Sequence, residues 1–328
     1  VVSEWFPARE RALAIGLYTL GATAGAALAP YIVIPLATQG LSWSASWLGQ
    51  GWRLAFLITG LAGIVWVVPW LWLYRKPAES KRLTPEELSL ISSGEDAGPL
   101  GKAWSLRQLL AFRPLWLLLA GRLITDPVWF FYQFWLAKYL ASERGLDQKA
   151  LTITWVVFAA AGFGSLAGGW FSGLLVHRGV PVLSARLRAM LFFACMMPLA
   201  AFTPQAGSIT SVMILSACTV FAATAWLTNI SAMVVDCMPR HSLGTAFSLV
   251  GAGSTLGGIA MNMMVAVMVA GPQPKPGGFL DQGFRTALGP LLGLVEGTGY
   301  GAWFVVMAFL HPFAFLLLWR GGIRRAEK

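Results

Sequence analysis

Three polar side chains, those of Arg122, Asp126 and Gln133, lie well inside an apolar stretch that runs from Arg113 to Ala141. The stretch is longer than the roughly 20 residues that a helix needs to cross a bilayer. At about 100° per residue, spacings of four, three and four place these residues and Trp129 on one helix face. Ionisable groups at membrane depth normally point into a bundle interior or a wet cavity. This face is therefore the first candidate for a binding site.

A second interpretation of the same face is structural. Arg122 and Asp126 are four residues apart, so they can form an ion pair within one helix that only neutralises both charges. Trp129 and the nearby Tyr132 can be packing residues or residues of the aromatic belt at a membrane surface. Both interpretations stay open, and Tyr132 and Gln133 are included among the candidate substrate-binding residues.

Polar residues on two later apolar stretches are further candidates for a substrate site. Trp226 and Asn229 lie on one stretch, and Thr255 and Asn262 lie on the next. Hydrogen bonds between helices explain these residues equally well, because polar side chains commonly join helices in membranes. We interpret His311, near the middle of the last stretch, as structural.

Two other features of the sequence indicate structure rather than a site. Asp236, at the end of its apolar stretch, is expected to pair with a basic residue such as Arg186 or Arg240. Small residues at positions 164, 168 and 172 recur every fourth position, which is typical of a helix face that packs closely on a neighbour.

The composition is that of a protein that crosses the membrane several times. Hydrophobic residues make up 57% of the 328 residues and charged residues 12%, and the mean hydropathy is +0.66. Soluble domains carry roughly 25% charged residues. The three cysteines all lie in apolar stretches without a CxxC motif, so neither a disulfide framework nor a zinc site is indicated.

Apolar runs of spanning length predict eight membrane helices. Pro30 and Pro35 are expected to kink the first of them. The charged stretch 75–112 is expected to be a connector outside the membrane, with a helix that starts at Thr84. The predicted spans are about Ala12–Ala37, Trp52–Tyr74, Arg113–Ala141, Leu151–Val176, Leu187–Phe202, Ile209–Val235, Leu243–Ala270 and Tyr300–Trp319.

The distribution of basic residues predicts the orientation of these spans. With both ends in the cytoplasm, seventeen Lys and Arg residues fall on the cytoplasmic side and six on the other, and Arg122 lies within the membrane. The positive-inside rule favours this orientation. Topology therefore accounts for the net charge of +10, and nucleic-acid binding is a poor explanation of it.

Several short motifs carry a resemblance to a known family. They are Trp5-Phe6-Pro7 with Glu10-Arg11-Ala12, Ala29-Pro30, Gly51-Trp52-Arg53 with Phe56, Thr125-Asp126-Pro127-Val128-Trp129 followed by Phe134-Trp135-Leu136, Gly168-Gly169-Trp170, Trp226 with Asn229, and Asp236 with Pro239. Over essentially its whole length the chain resembles the major facilitator superfamily. Within it, the chain is most similar to the anion:cation symporters, especially bacterial transporters of hexuronates and related sugar acids.

The resemblance implies an all-α membrane protein, a major facilitator bundle of twelve helices of which this chain holds eight, helices 5–12. Residues 1–74 would be the last two helices of the N-terminal six-helix bundle, 75–112 the cytoplasmic loop between bundles, and 113–328 the C-terminal bundle. Helices 1–4, which carry substrate and proton-coupling residues in the family, would be absent, so the chain is expected to be a fragment.

The function that the resemblance implies is proton-coupled uptake of organic anions such as hexuronates, by alternating access to a midplane site. Its partners would be the anionic substrate, protons and the lipid bilayer, with no cofactor, metal or nucleic acid. The complete protein would be a monomer in the cell inner membrane. In this half, Arg122 is the cation at membrane depth that can meet the substrate carboxylate, and a basic residue on the absent helices is the alternative.

Four departures from the family pattern leave the particular sugar acid open, because a changed polar lining changes which substrate hydroxyls are satisfied. They are Phe130 in place of a second Trp, Gln133 in place of an apolar residue, Ala137 in place of Pro, and Ala223-Thr224 in place of a His-Gln pair.

The alternatives to a sugar-acid symporter are a drug or metabolite antiporter of the same superfamily and a scaffold without transport activity. An enzyme is disfavoured, because Asp126 is the one carboxylate at depth and no HExxH or GxSxG signature is present.

Overall fold

The structure, a computed structural model, describes residues 2–39, 51–80, 83–92, 104–147, 150–239, 242–270 and 297–323. These residues form helices joined by turns, and no strand occurs among them. Arg240 and residues 271–296, between the last two predicted spans, lie outside the described residues.

Twelve α-helices are described, and we number them in chain order. They are α1 (Val2–Trp5), α2 (Ala8–Gln39), α3 (Gly51–Leu73), α4 (Pro85–Ser92), α5 (Leu106–Ala111), α6 (Arg113–Phe134), α7 (Leu136–Arg144), α8 (Trp155–His177), α9 (Val182–Ala194), α10 (Ile209–Cys237), α11 (Leu243–Ala270) and α12 (Gly299–Gly321). Short 3-10 helices cover 77–79, 150–154 and 197–205.

Capping signals in the sequence explain several helix ends. The Thr84 hydroxyl accepts from the Glu87 backbone N–H, and the Glu87 carboxylate accepts from the Thr84 N–H, which confirms the predicted start of α4. Ser105 caps α5 in the same reciprocal way. Gly145 ends α7 with φ 66°, a left-handed conformation that glycine adopts without steric cost.

Seven helices are long and apolar enough to cross a membrane, and they correspond to seven of the eight predicted spans. The eighth predicted span, α6, is not among the seven, since Arg122, Asp126 and Gln133 interrupt its apolar sequence. It nevertheless packs against α10, α11 and α12, inside the helical bundle. The chain is therefore a multi-pass membrane protein in which the least apolar of the predicted spans is surrounded by more apolar helices.

The prediction of one helix from Arg113 to Ala141 is wrong at Trp135. There the helix is distorted, with φ −115° and ψ −20°, although the Trp135 N–H still donates to the Phe131 carbonyl at 2.8 Å, and the chain resumes as α7 one residue later. The Trp135 indole N–H donates to the Asn262 side-chain oxygen on α11, 2.7 Å away. This tertiary contact holds the side chain at the interruption, which the local sequence does not mark with Gly or Pro.

Two other predicted spans differ from the structure. The span expected at Leu187–Phe202 begins earlier, as α9, and changes to a 3-10 helix at Met197. Pro198 explains the change, because its ring clashes with the carbonyl four residues earlier and it cannot donate a backbone hydrogen bond. The first span extends over Ala8–Gln39 as one element that runs through both of its prolines.

Glycines bring α8 into direct backbone contact with two other helices. A Cβ atom on Gly168 would overlap the Ala225 backbone of α10, and one on Gly169 would overlap the Ala12 carbonyl of α2. Close approach of this kind replaces the hydrophobic driving force that helices lack in hydrocarbon. The packing role expected for the small residues of this helix is confirmed.

Large apolar side chains cover the outside of the bundle. Ile64, Phe163 and Phe309 are each more than half exposed, and many others resemble them. Such a surface suits a protein whose surroundings are hydrocarbon rather than water.

Candidate functional site

The predicted charged face contains a formed ion pair. The Arg122 Nε donates to the Asp126 Oδ2 at 2.5 Å, within one turn of α6. A helix of 22 residues is about 33 Å long, so both side chains lie roughly 12–14 Å from the nearer helix end. The pair therefore lies at the middle of the helix, as the spacing predicted.

Serine side chains from two neighbouring helices complete this group. The second Arg122 contact is to the Ser231 hydroxyl of α10, which accepts from Nη1 at 3.3 Å. Ser254 of α11 is buried close to the Asp126 carboxylate. Sequence reasoning missed both serines, because hydroxyls on apolar helices are too common to indicate a role without the neighbouring helix.

The two charges differ in their access to the surroundings. The Asp126 side chain is 5% exposed and the Arg122 side chain 17%. Within the part of the chain that is described, two of the five N–H donors of the Arg122 guanidinium make hydrogen bonds, one to Asp126 and one to Ser231. The remaining donors can bind a further carboxylate, because a guanidinium accommodates two oxygens side by side.

Trp129 and Gln133 continue the charged face along α6 with different surroundings. The Trp129 ring is half-buried and meets Phe158 of α8 edge-on, with centroids 6.1 Å apart. Gln133 is exposed. Both positions agree with the predicted face, and Gln133 is accessible to a ligand.

Tyr132 lies apart from this face. It is 1% exposed within the main core, and its hydroxyl has no hydrogen-bond partner among the described residues. The structure thus places it in the interior packing between α6 and α10.

Trp226 and Asn229 are also buried in helix contacts. The Asn229 amide donates to the Gly168 carbonyl of α8 and the Ala225 carbonyl of its own helix, both at 2.9 Å. The Trp226 ring packs edge-on against His311 of α12, with centroids 5.2 Å apart. For these residues the geometry favours the interhelical interpretation over a substrate site.

The two candidates on α11 differ from each other. Thr255 is exposed and its hydroxyl donates to the Gly251 carbonyl at 3.2 Å. Asn262 is half-buried, with its side-chain oxygen accepting from Trp135 and its amide donating to the Gly258 carbonyl at 3.0 Å. Thr255 is therefore open to a ligand, whereas Asn262 is already engaged.

A second buried ion pair lies between α9 and α10. The Arg186 Nε is 3.3 Å from the Asp236 Oδ2, and its Nη1 donates to the Ser172 hydroxyl of α8 at 2.9 Å. Arg186 is fully buried. The prediction that Asp236 pairs with Arg186 is confirmed, and the pair joins three helices.

An apolar groove lies on another side of α6. It has a volume of about 450 Å³ and runs between α6, α11 and α12, with Pro127, Met261 and Leu310 among its lining residues. A groove without charge does not suit an anion, so the Arg122 face remains the candidate site. The described residues contain no group of three His, Cys, Asp or Glu side chains that could hold a metal ion.

The sequence matches known proteins over most of its length. A profile of the Major Facilitator Superfamily matches residues 1–261. Among solved structures, a bacterial homologue of the human lysosomal transporter Spinster, in an inward-facing and unoccupied conformation, aligns with a TM-score of 0.52 and 21% identity. That alignment covers 98% of this chain and 72% of the other, and at this identity it supports the fold alone.

Several curated relatives are named as transporters of sugar acids. The galacturonate transporter of Dickeya chrysanthemi is 32% identical over 172 residues, 51% of this chain and 47% of the relative. The hexuronate transporter of Escherichia coli K12 is 30% identical over 52% of this chain and 38% of the relative. The D-galactonate transporter of Escherichia coli O6:H1 is 30% identical over 83% of this chain and 63% of the relative.

The chain is a multi-pass helical bundle with a charged pair at the middle of one helix. The chain belongs to the Major Facilitator Superfamily. It spans about half or less of the length of the first two of these relatives.

Proposed function

We propose that the protein is a secondary active transporter that takes up anionic sugar acids together with protons. The observation that carries the proposal is the Arg122 guanidinium, held at mid-helix with donors to spare. A substrate with one carboxylate and many hydroxyls needs such a cation and nearby polar groups. Gln133 and Thr255 are the exposed polar side chains among the candidates.

The names of the relatives support this substrate class. They include transporters named for galacturonate, hexuronate, D-galactonate and galactarate/D-glucarate. All of these compounds are polyhydroxy carboxylates. Family membership and these relatives favour a transporter over an enzyme.

The proposed mechanism is alternating access, in which two helical bundles rock about a site at the membrane midplane. In this scheme α2 and α3 belong to one bundle, α6 to α12 belong to the other, and 75–112 connects them in the cytoplasm. We also propose that both termini are cytoplasmic, that the membrane is the cell inner membrane, and that the complete protein acts as a monomer.

The direct test is uptake by the protein expressed from its complete reading frame and reconstituted into liposomes. With a proton gradient imposed, we expect accumulation of labelled galacturonate, glucuronate, galactonate or glucarate. Export of lipophilic cations without sugar-acid uptake would support the drug antiporter instead. If the protein transports neither class of compound, the result would support a scaffold without transport activity.

A variant tests the role of Arg122 within the site. Arg122→Ala should weaken sugar-acid binding by about 30- to 150-fold, the loss of about 2–3 kcal/mol expected for a charge-assisted hydrogen bond. If the pair were only structural, Arg122→Ala and Asp126→Asn would each lower thermal stability comparably, and the double variant would recover much of it. Unchanged affinity in a well-folded Arg122→Ala protein would remove this residue from the site.

Labelling of introduced cysteines tests the proposed orientation. Cysteines at positions 83–92 of the connector should be protected from impermeant thiol reagents in intact cells. Cysteines at 145–147, between α7 and α8, should react. The reverse pattern would invert the topology.

A further inference from the structure

We propose that an anionic phospholipid binds at the corner between α5 and α6, with its phosphate on two arginines and an acyl chain along three apolar side chains. The corner surface, as we call it, consists of Leu106, Arg107, Leu110, Arg113 and Trp116. Binding of a lipid there does not depend on the transported compound, so this site goes beyond the proposed function and is tested without transport.

The helix α5 is fixed to the end of the bundle on one side. Its Leu109 side chain is 1% exposed and belongs to a buried cluster with Leu115 of α6. Just before the helix, the Trp104 backbone N–H donates to the Ser242 hydroxyl at 2.8 Å, and the Trp104 ring meets Phe112 edge-on. Because this side of α5 is held, its other side is a defined surface rather than a loose segment.

Three large apolar side chains are exposed at the corner. Leu106 and Leu110 are one helical turn apart on α5, and each is more than a third exposed. Trp116 of α6 is also exposed, and its indole N–H donates to the Leu110 carbonyl at 2.7 Å. This bond holds the indole ring beside α5. Exposed Leu and Trp at the end of a predicted span are typical of the membrane interface.

Two exposed arginines border these apolar side chains. Arg107 follows Leu106 directly, and Arg113 lies about one helical turn before Trp116. Neither arginine takes part in an ion pair within the described residues. In the sequence, residues 97–125 contain four basic residues and no Asp or Glu. The corner surface is therefore positive and apolar at once.

The order of the residues along the chain matches the order of the groups in a phospholipid. Arg113 begins α6, and Trp116 lies about 4.5 Å further along the helix axis. A guanidinium binds two phosphate oxygens side by side. An acyl chain attached to that phosphate continues along Trp116 toward the interior of the membrane. Soluble phosphate would use the arginines alone and a zwitterionic lipid mainly the apolar side chains, so the combination selects an anionic phospholipid.

The test is native mass spectrometry of the protein expressed from its complete reading frame and stripped of lipid in detergent. The protein is titrated with phosphatidylglycerol or with phosphatidylcholine that carries the same acyl chains. We expect the wild type to bind phosphatidylglycerol more tightly. A basic residue near an anionic lipid surface contributes about 1 kcal/mol, or about fivefold in affinity. Arg107→Gln with Arg113→Gln should thus weaken phosphatidylglycerol binding by about 25-fold and leave phosphatidylcholine binding unchanged.

The matched control removes two other exposed arginines on the same proposed side of the membrane. Arg178 follows α8 and Arg188 lies on α9, both away from the corner surface. Arg178→Gln with Arg188→Gln changes the net charge by the same amount but should bind phosphatidylglycerol as the wild type does. Equal weakening in the two double variants would show a general effect of net charge and overturn the inference.

A third double variant tests the apolar part of the site. Leu106→Asn with Leu110→Asn should weaken the binding of both lipids, because both carry the same acyl chains. Soluble glycerol 3-phosphate should not displace phosphatidylglycerol from the wild type. Displacement would show a site for phosphate alone and overturn the inference.

A comparison on the wild type covers the case in which a variant does not fold. Equal affinity of the wild type for phosphatidylglycerol and phosphatidylcholine would overturn the inference. None of these results bears on sugar-acid uptake, so the lipid site and the proposed function can fail separately.

Discussion

The Trp135 indole N–H donates to the Asn262 side-chain oxygen at 2.7 Å, and this bond joins the break between α6 and α7 to α11. The Lys138 ammonium lies 4.8 Å from the centroid of the same ring, so the indole is held from two sides. The hydrogen bond thereby connects the C-terminal end of the charged helix α6 to the neighbouring helix α11.

The first prediction concerns this bond. Trp135→Phe keeps an aromatic ring beside Lys138 but removes the N–H, leaving the Asn262 oxygen without its donor at a cost of about 1–3 kcal/mol. Backbone amides of α7 should then exchange with deuterium faster, as read by mass spectrometry of peptides from 136–144. Trp129→Phe on the same helix is the control, because the Trp129 ring makes a packing contact with Phe158. Equal exchange in both variants would show that the hydrogen bond does not hold the junction.

A second prediction concerns Arg144 at the end of α7. Its guanidinium donates to the backbone carbonyls of Thr203, Pro204 and Ala206 at 2.8–3.2 Å and to the Tyr139 hydroxyl at 3.1 Å. A lysine ammonium cannot reach several acceptors spread over a planar fork. Arg144→Lys should therefore cost about 2–3 kcal/mol and lower the thermal unfolding temperature in detergent. Tyr139→Phe, which removes one acceptor of this set, should cost less, and the opposite ranking would contradict this account.

The third prediction uses two glycines of α11. Pro127 has no N–H for the Leu123 carbonyl, and a Cβ atom on Gly257 would overlap that carbonyl oxygen. Gly257→Ala should force α11 away from α6 and destabilise the protein by about 1–3 kcal/mol. Gly251→Ala on the same helix meets open space and should be neutral or stabilising by up to about 1 kcal/mol. Thermal unfolding of the two variants side by side is the measurement, and equal stability would disprove the close contact.

The fourth prediction is a pH dependence outside the membrane. The Tyr74 hydroxyl donates to the Glu4 Oε2 at 2.7 Å, and this hydrogen bond holds the pKa of Glu4 below its ordinary value. Because the folded pKa is lowered, the contact between α1 and the end of α3 is stabilised above the ordinary Glu pKa. That stabilisation is lost as the pH falls through the folded pKa.

Tyr74→Phe tests this assignment. Without the donor, the pKa of Glu4 should move upward, measured by infrared titration of isotope-labelled glutamate. A Glu4 titration unchanged by Tyr74→Phe would assign the shift to another group.

The charged face could be predicted from the sequence because its signal is local. The four-residue spacing of Arg122 and Asp126 on an apolar helix dictates their contact whatever surrounds them. The partner of Asp236 was also predictable, since a buried carboxylate requires a cation and the choice of nearby arginines was short.

Other features depended on which helix faces which, and no local pattern encodes that. Tyr132 is only six residues from Asp126, yet it turns to the core because α10 covers that side of α6. The hydrogen bond at the junction of α6 and α7 joins Trp135 to a partner 127 residues away. Ser231 and Ser254 lie beside the ion pair only because α10 and α11 pack against α6.

The backbone contact between α2 and α8 has a kinetic consequence. A Cβ atom on Gly16 would lie 2.6 Å from the Ser165 carbonyl oxygen, and one on Gly169 would overlap the Ala12 carbonyl, so here two chain segments on either side of the connector touch main chain to main chain. Glycine has no rotamers, so one helix can roll over the other at these points without side chains interlocking and releasing in turn. The methyl groups of Gly16→Ala or Gly169→Ala would overlap main chain and push α2 and α8 apart at these points. In the proposed cycle they would slow the interconversion of the outward- and inward-facing states while leaving equilibrium substrate affinity to the residues around Arg122.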